Sequence, residues 1–382
     1  MPNLFSPFTL KDVTLRNRIA ISPMTMFSCA ADGLVNDWHL VHLGARAVGG
    51  AGLVIIEQLA VSPEGRMTPT CAGIWSDDHI PALRRVTDFI KAHGAVPGVQ
   101  LGHSGRKGSI TPPWDGYAQL PVDHPLAWEP IGPTDEPFGG ARYPRGARYA
   151  SQADIERLKD DFAQGARRAA EAGFEWAELH YAHGFLGASF FSPIANSRDD
   201  AYGGSLENRS RFLVETLDAV RPLWPESLPL TMRIGATDYH PDSHTIEDTI
   251  WLVRTMAEHG LDLVDISMGM NSDRSTDVPW TDRGFMVPAA ARIRREAGLP
   301  TAVSWNLADP AYADSVIRSE EVDLLLIGRP ALENPHWPLY AALKLGLDAP
   351  YELMPTQYQH ALARSRDLVN CGGFGPIGPT AS

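Results

Sequence analysis

About eight times along this chain, a short apolar run is followed by a segment with helical spacing. The run at 52–58 (GLVIIEQ) is typical of a buried strand, and the segment at 151–173 is typical of an amphipathic helix. Alternation of this kind implies a parallel sheet, and eight units is the count of a (β/α)8 barrel. An open doubly wound sheet with a second domain would need a linker between its halves, and the sequence has none. The predicted strands are 18–24, 52–58, 95–102, 174–180, 228–235, 261–267, 300–305 and 322–330.

Two segments do not follow this alternation. Residues 1–17 alternate apolar and polar side chains around a turn, which predicts a small hairpin at the bottom of the barrel. Residues 103–150, after the third strand, are too rich in Gly, Pro and polar residues for a plain connection. Their Trp, Tyr and Phe content favours an ordered excursion that caps a site over a disordered linker. We therefore expect one barrel domain over 1–370 and a mobile Gly/Pro-rich tail at 371–382.

Composition excludes several classes of protein. The chain has 382 residues, a formal net charge of −13 and no basic stripe, which disfavours nucleic acid as a partner. Its three cysteines have no metal-like or redox spacing, so a disulfide framework and a four-thiolate cluster are excluded. The N-terminus lacks a basic region followed by an apolar one, and no apolar run approaches membrane-spanning length, so we expect neither a secretory leader nor a membrane span. We expect a cytoplasmic enzyme that acts on a small molecule and has no membrane partner.

The ends of the predicted strands carry the polar residues. In a barrel, chemistry takes place at the carboxyl ends of the strands, and the loops after strands seven and eight commonly bind phosphate. In this chain those two loops contain Ser304-Trp305-Asn306 and Gly328-Arg329. The pattern predicts a wide polar site for a large planar or phosphorylated ligand. The strand-end residues are Ser22-Pro23-Met24-Thr25, Glu57-Gln58, Gln100 to His103, His180 to His183, Arg233, Ser267 to Gly269, Ser304-Trp305-Asn306 and Gly328-Arg329.

Two histidines follow the fourth predicted strand. His180 and His183 could each donate a hydrogen bond to one ligand oxygen. A metal pair is the alternative, but no third ligand is suitably placed, so we expect no metal. His39 and His42 have the same spacing within a predicted helix, away from any strand end, and are interpreted as structural.

The stretch HYAHGFL…FFSP…NSRDDAYGGSLENRSRF at 180–212 resembles the signature of the Old Yellow Enzyme family of FMN-dependent NADH:flavin oxidoreductases. Further motifs, among them VQLGHSGRK and GRPALENPHWP, extend the resemblance over nearly the whole chain, especially to the branch that contains xenobiotic reductase A. It implies a barrel with noncovalent FMN, reduced by NADPH or NADH. The acceptor would be an activated C=C bond in an enone, nitroalkene or quinone-like compound, reduced by ping-pong hydride transfer through flavin N5. A homodimer or higher homo-oligomer is also implied, sometimes with a C-terminal arginine in a neighbour's site.

The resemblance assigns roles to individual residues. His180 and His183 would bind the substrate carbonyl, Arg233 would lie near flavin N1 and O2, and Gly328-Arg329 would hold the phosphate. The substrate would contact Phe27, His180, His183, Phe185 and Trp305. The implied cofactor-binding residues are Ser22, Pro23, Met24, Thr25, Gln58, Gln100, His180, Arg233, Trp305, Asn306, Gly328 and Arg329.

Four positions depart from the family pattern. Thr25 replaces a cysteine that tunes the flavin, Gln58 replaces alanine, and Phe27 and Phe185 replace tyrosines. The tyrosine at 185 ordinarily protonates the substrate Cα, which phenylalanine cannot do. The sequence offers no replacement acid. Alternatives are therefore a nitro or nitrate-ester reductase, a ketone desaturase, a flavin-binding sensor or storage protein, and, more distantly, a barrel lyase without flavin.

Overall fold

The computed structural model describes residues 1–365 and contains a closed barrel of eight parallel strands. Around the barrel the strands follow one another in chain order, and the last strand pairs with the first. This is the predicted (β/α)8 barrel. Two short strands, β1 (Phe8–Leu10) and β2 (Val13–Leu15), precede the barrel, and β6 (Ile131–Gly132) and β7 (Arg148–Tyr149) form a separate pair. The eight barrel strands are β3 (Ile19–Ile21), β4 (Leu53–Ala60), β5 (Val96–Gly102), β8 (Trp176–Tyr181), β9 (Leu230–Gly235), β10 (Leu263–Ser267), β11 (Thr301–Val303) and β12 (Leu324–Ile327).

Helices surround the barrel, and several of them begin at a residue whose side chain caps the first turn. Ser151 accepts a hydrogen bond from the Asp154 backbone N–H, and Ser205 does the same for Asn208. The helices are α1 (Asp37–Val48), α2 (Ile80–Ala92), α3 (Gln152–Glu171), α4 (Leu186–Phe191), α5 (Leu206–Val220), α6 (Ile246–Glu258), α7 (Val287–Ala297), α8 (Pro310–Arg318), α9 (Arg329–Glu333), α10 (Trp337–Lys344) and α11 (Thr356–Ser365).

The last barrel strand is shorter than predicted. The apolar run suggested a strand over 322–330, but β12 ends at Ile327 and α9 begins at Arg329. Pro330 lies in the first turn of α9, where a missing backbone N–H costs no helical hydrogen bond. Arg329 therefore lies at the start of a helix and not in a strand.

Strand alternation determines which side chains face the barrel interior. In β8, Trp176 packs among interior residues, whereas Tyr181 packs outward against Phe162 of α3, with ring centroids 6.2 Å apart. Because side chains alternate, Glu178 and His180 share the interior face with Trp176. Apolar residues thus fill the lower interior, and polar residues occupy its carboxyl end.

The two segments outside the alternation lie at opposite ends of the barrel. Strands β1 and β2 form an antiparallel hairpin at the amino end, where Leu15 packs against the lower interior. Residues 103–150 form the capping segment, which contains the short parallel pair β6 and β7 and contributes residues to the cavity at the carboxyl end. The tail predicted at 371–382 lies outside the described residues.

No helix within residues 1–365 is long and apolar enough to cross a membrane.

Candidate active site

A cavity of about 1170 Å³ opens at the carboxyl end of the barrel. Its walls come from the loops after six barrel strands, from Arg233 of β9 and from the capping segment. Three of the residues predicted at the site, Gln58, Gln100 and His180, are not among those that line it. Those that do are Ser22, Pro23, Met24, Thr25, Phe27, His183, Phe185, Arg233, Trp305, Asn306, Gly328 and Arg329.

The two histidines of the HxxH motif come together at one edge of the cavity. His183 Nδ1 lies 3.3 Å from His180 Nε2, and the two ring centroids are 5.0 Å apart. His180 is buried, and its Nδ1 has no hydrogen-bond partner among the described residues. Burial and the nearby positive charges of Arg233 and Lys107 lower the pKa of both histidines well below the ordinary value. Both rings are therefore neutral at physiological pH and can donate hydrogen bonds.

The turn that presents His183 has a demanding backbone geometry. His183 and Gly184 have φ values of 59° and 69°, in the left-handed region. A Cβ at position 184 would lie 2.3 Å from the Met270 carbonyl oxygen, so only glycine fits there. The buried ammonium of Lys107 donates to the carbonyls of His183 and Met270, at 2.6 and 3.0 Å. Lys107 therefore holds this turn against the loop after β10.

A buried guanidinium joins four barrel strands below the cavity. Arg233 donates to Ser22 Oγ at 3.3 Å and to Ser304 Oγ at 2.7 Å. Its Nε lies 2.9 Å from Asp265 Oδ2, an ion pair whose angle is not that of a hydrogen bond. The positive charge at the mouth is thus fixed by residues of β10 and by residues at the ends of β3 and β11.

Two buried acids lie on the same interior face and were not predicted. Glu178 accepts a hydrogen bond from Gln100 Nε2 at 2.7 Å. Burial raises the pKa of Glu178 and of Asp265, and Arg233 opposes the shift at both. Each acid lies two positions before a residue at the end of its strand: Glu178 precedes His180, and Asp265 precedes Ser267. The period-2 alternation could therefore have located both.

Another buried acid supports the loop that follows β3. The Glu57 carboxylate accepts from the Met26 backbone N–H at 3.1 Å, and His39 Nε2 lies 3.3 Å from its other oxygen. His39 thus helps to hold the loop that carries Thr25 and Phe27, a structural role as interpreted from the sequence. His42 stacks on Trp38 instead.

The capping segment brings two phenols to the cavity. Tyr143 is buried in one apolar cluster with Phe185, and Tyr117 packs against that cluster. Burial raises the pKa of Tyr143, so its hydroxyl keeps its proton. The exposed Arg142 guanidinium lies 3.8 Å from the Tyr117 ring centroid. Sequence reasoning missed these residues because nothing local relates positions 117 and 143 to position 185.

The opposite wall is formed after β11 and β12. Trp305 and Asn306 both have positive φ, and Asn306 Nδ2 donates to two carbonyls of the preceding loop. Arg329 is exposed, with Cζ 5.9 Å from the Trp305 ring centroid. Gly328 adopts φ −97° and ψ −103°, a combination that glycine tolerates best. An exposed cation and a glycine thus lie where barrels commonly bind phosphate.

These features fit FMN. One arginine lies inside the barrel mouth and a second lies at the rim, which suits an anionic ring at one end and a phosphate at the other. Gln58 Oε1 and His180 Nδ1 are buried polar atoms without partners in the described structure. Polar hydroxyls line one part of the cavity and aromatic rings line another. Fold and site together define a flavin-dependent oxidoreductase of the (β/α)8 class.

Comparison with known proteins identifies the family. The profile of the NADH:flavin oxidoreductase / NADH oxidase family matches residues 3–347. An NADPH dehydrogenase of Geobacillus thermodenitrificans (strain NG80-2) is 43% identical over 93% of this chain and 97% of its own length. The chain belongs to this family, and the resemblance to the Old Yellow Enzyme family is confirmed. It is an FMN-dependent NAD(P)H oxidoreductase.

Two solved structures have the same fold. A 2-naphthoyl-CoA reductase in complex with 2-naphthoyl-CoA gives a TM-score of 0.81 at 26% identity, over 92% of this chain and 53% of that chain. This chain thus spans about half the length of that reductase. Morphinone reductase in complex with tetrahydroNAD gives a TM-score of 0.74 at 25% identity, over 90% of this chain and 91% of that one.

The lowered histidine pKa values make a prediction about stability. Below the ordinary value of about 6.5, the unfolded chain binds more protons than the native state, so stability should fall as pH decreases. Each histidine contributes up to about 1.4 kcal/mol per pH unit. Urea unfolding between about pH 5.5 and 7.5 measures the slope. His42 and His103 have lowered pKa values as well, so the decisive quantity is the difference between the parent and a His180→Gln/His183→Gln variant. Equal slopes in the two proteins would contradict the prediction.

Proposed function

We propose that this protein is an ene-reductase, which uses FMN and NAD(P)H to reduce C=C bonds activated by a carbonyl or nitro group. The observation that carries the proposal is the pair of neutral imidazoles at the cavity edge, with His180 Nε2 and His183 Nδ1 3.3 Å apart. Two donors this close can bind one substrate oxygen together. Proteins of the same fold that are named reductases, among them morphinone reductase, support the same class of activity.

The cofactor would be held by the two arginines and the residues between them. Bound FMN supplies the two-electron chemistry that links NAD(P)H to the acceptor. Arg233 would balance negative charge on the ring, since its guanidinium is buried and fixed by Ser22 and Ser304. Arg329 would bind the phosphate. Thr25 and Trp305 line the cavity between these two charges and would contact the ring system.

The histidine pair would polarise the substrate. As the C=C bond of an enone is reduced, negative charge develops on the carbonyl oxygen. Hydrogen bonds from His180 and His183 to that oxygen strengthen as the charge grows. They would therefore lower the free energy of the transition state for hydride transfer. Lys107 would keep His183 in place through the two carbonyls that it binds. Phe27 and Phe185 would pack against the apolar part of the substrate.

The source of the Cα proton differs from that in the family pattern. Phe185 lies next to His180, with ring centroids 5.0 Å apart, but it carries no exchangeable proton. Tyr143 of the capping segment shares its apolar cluster and keeps a neutral hydroxyl. Substrates that need no such proton, such as nitroalkenes and quinones, would be reduced without a side-chain acid. Enones would need a proton from water or from the capping segment.

We further propose that the protein works in the cytoplasm as a homo-oligomer. Cys29 and Cys71 are buried free thiols, in keeping with a reducing compartment. The apolar side chains of Trp38 and Val41 on α1 are exposed, and a second copy of the chain would cover such a surface. Light scattering of the purified holoenzyme tests the oligomeric state.

The phosphate assignment predicts loss of cofactor. Arg329→Ala removes the rim cation, so the purified variant should retain much less FMN than the parent. Flavin absorbance relative to protein concentration measures this directly. Arg85→Ala is the matched control, because Arg85 is an exposed arginine on α2 that pairs with Asp37 and does not line the cavity. Full FMN content in Arg329→Ala would show that another residue holds the phosphate.

The histidine assignment predicts loss of phenol binding. Phenols that bind oxidised flavoenzymes of this kind give a long-wavelength charge-transfer band. His180→Ala/His183→Ala, compared with the parent at equal FMN content, should abolish that band, since the double variant loses both donors to the phenolate oxygen. His42→Ala provides the control, because His42 belongs to the second HxxH pair, on α1. An unchanged band in the double variant would overturn the assignment.

The absence of an acid at position 185 predicts that enones and nitroalkenes reoxidise the reduced enzyme at different rates. If no side chain supplies the proton, Phe185→Tyr should accelerate reoxidation of the reduced enzyme by a cyclic enone by about 10²-fold or more, with little change for a nitroalkene. Stopped-flow absorbance measures both rates. Tyr143→Phe is the companion variant. If Tyr143→Phe selectively loses enone turnover and Phe185→Tyr gains none, the acid lies on the capping segment. Reduction of neither substrate by the parent would contradict the proposed function.

A further inference from the structure

A chain of three polar groups connects His183 to the opposite wall of the cavity. Trp305 Nε1 lies 3.0 Å from Ser267 Oγ, and Ser267 Oγ lies 2.8 Å from His183 Nε2. Ser267 is fully buried at the carboxyl end of β10. The indole N–H can only donate, so the Ser267 oxygen must accept that bond. The end of β10 and the loop after β11 are thereby joined to His183.

The direction of the Trp305–Ser267 hydrogen bond determines the direction of the Ser267–His183 hydrogen bond. The Ser267 hydroxyl has one proton and needs an acceptor, since an unsatisfied buried donor is costly. Among the hydrogen bonds of residues 1–365, its other partner is His183 Nε2. That nitrogen must therefore be unprotonated. A neutral imidazole carries one proton, which then lies on Nδ1, the atom that faces His180.

We propose that Ser267 and Trp305 are positioning residues that fix His183 as the Nδ1–H tautomer, so that its N–H points to the substrate oxygen. The hydroxyl acts through the histidine and does not need to touch the substrate. Because Trp305 also lines the cavity, movement of its ring on ligand binding would be transmitted to the tautomer of His183.

The same geometry suits an oxygen that accepts two hydrogen bonds. His183 Nδ1–H faces His180 Nε2 across 3.3 Å, so a substrate oxygen beside both atoms could accept one bond from His183 Nδ1–H and one from His180 Nε2–H. This contact with the substrate rests on the proposed function, whereas the tautomer of His183 does not.

The test is ¹⁵N NMR of the FMN-loaded enzyme labelled in its histidines. Long-range ¹H–¹⁵N correlations distinguish a protonated ring nitrogen from an unprotonated one, and His183→Gln assigns the signals. In the parent, we expect His183 to carry its proton on Nδ1. Ser267→Ala should allow the proton to move to Nε2 and should weaken binding of 4-hydroxybenzaldehyde by about tenfold, the value of one hydrogen bond. Ser267→Thr keeps the hydroxyl and should restore both properties.

The outcomes separate this inference from the proposed function. A proton on His183 Nε2 in the parent would overturn the inference, and so would an unchanged tautomer in Ser267→Ala. The measurement on the parent requires no variant to fold. Unaltered FMN content in Ser267→Ala shows that the site is intact, so a tautomer change there is not a general structural effect. Failure of the parent to reduce any activated alkene would contradict the proposed function and leave the tautomer result as measured.

Discussion

The buried guanidinium of Arg233 is the charge on which the rest of the site depends. It lies between β3, β10 and β11, where Ser22 and Ser304 accept its hydrogen bonds and Asp265 balances its charge. A buried cation is stable only when it is paired in this way. The same charge helps to keep His180 and His183 neutral. In the proposed site it would also balance negative charge on the flavin ring, so one interaction would serve both the barrel and the cofactor.

Backbone strain is concentrated at the mouth of the barrel. Phe27, His183, Met270, Trp305 and Asn306 all have positive φ although none is glycine. Such conformations persist only where surrounding contacts hold them, and they are common at functional sites. Here Lys107 binds the His183 and Met270 carbonyls, and Asn306 binds two carbonyls of the preceding loop. The rigid lower barrel, filled with apolar side chains, supports this strained rim.

The sequence predicted the barrel and the strand-end part of the cavity wall because both follow from local rules. Alternating strands and helices identify the fold, and the carboxyl ends of strands identify where Arg233, Trp305 and Gly328 gather. Gln58 and Gln100 were assigned to the site both as strand-end residues and by family resemblance, and neither is among the residues that line the cavity. The phenols of the capping segment were not predicted, since an irregular segment has no periodicity from which its contacts can be read.

The sequence by itself determined the fold class, the family and the presence of a histidine pair, because periodicity and motifs are properties of neighbouring residues. Only the tertiary structure decided which nitrogen of His183 carries the proton. That proton depends on Ser267, 84 residues away along the chain, and on Trp305, a further 38 residues beyond. The tautomer of a histidine is determined by hydrogen bonds, and these partners meet only when the barrel closes.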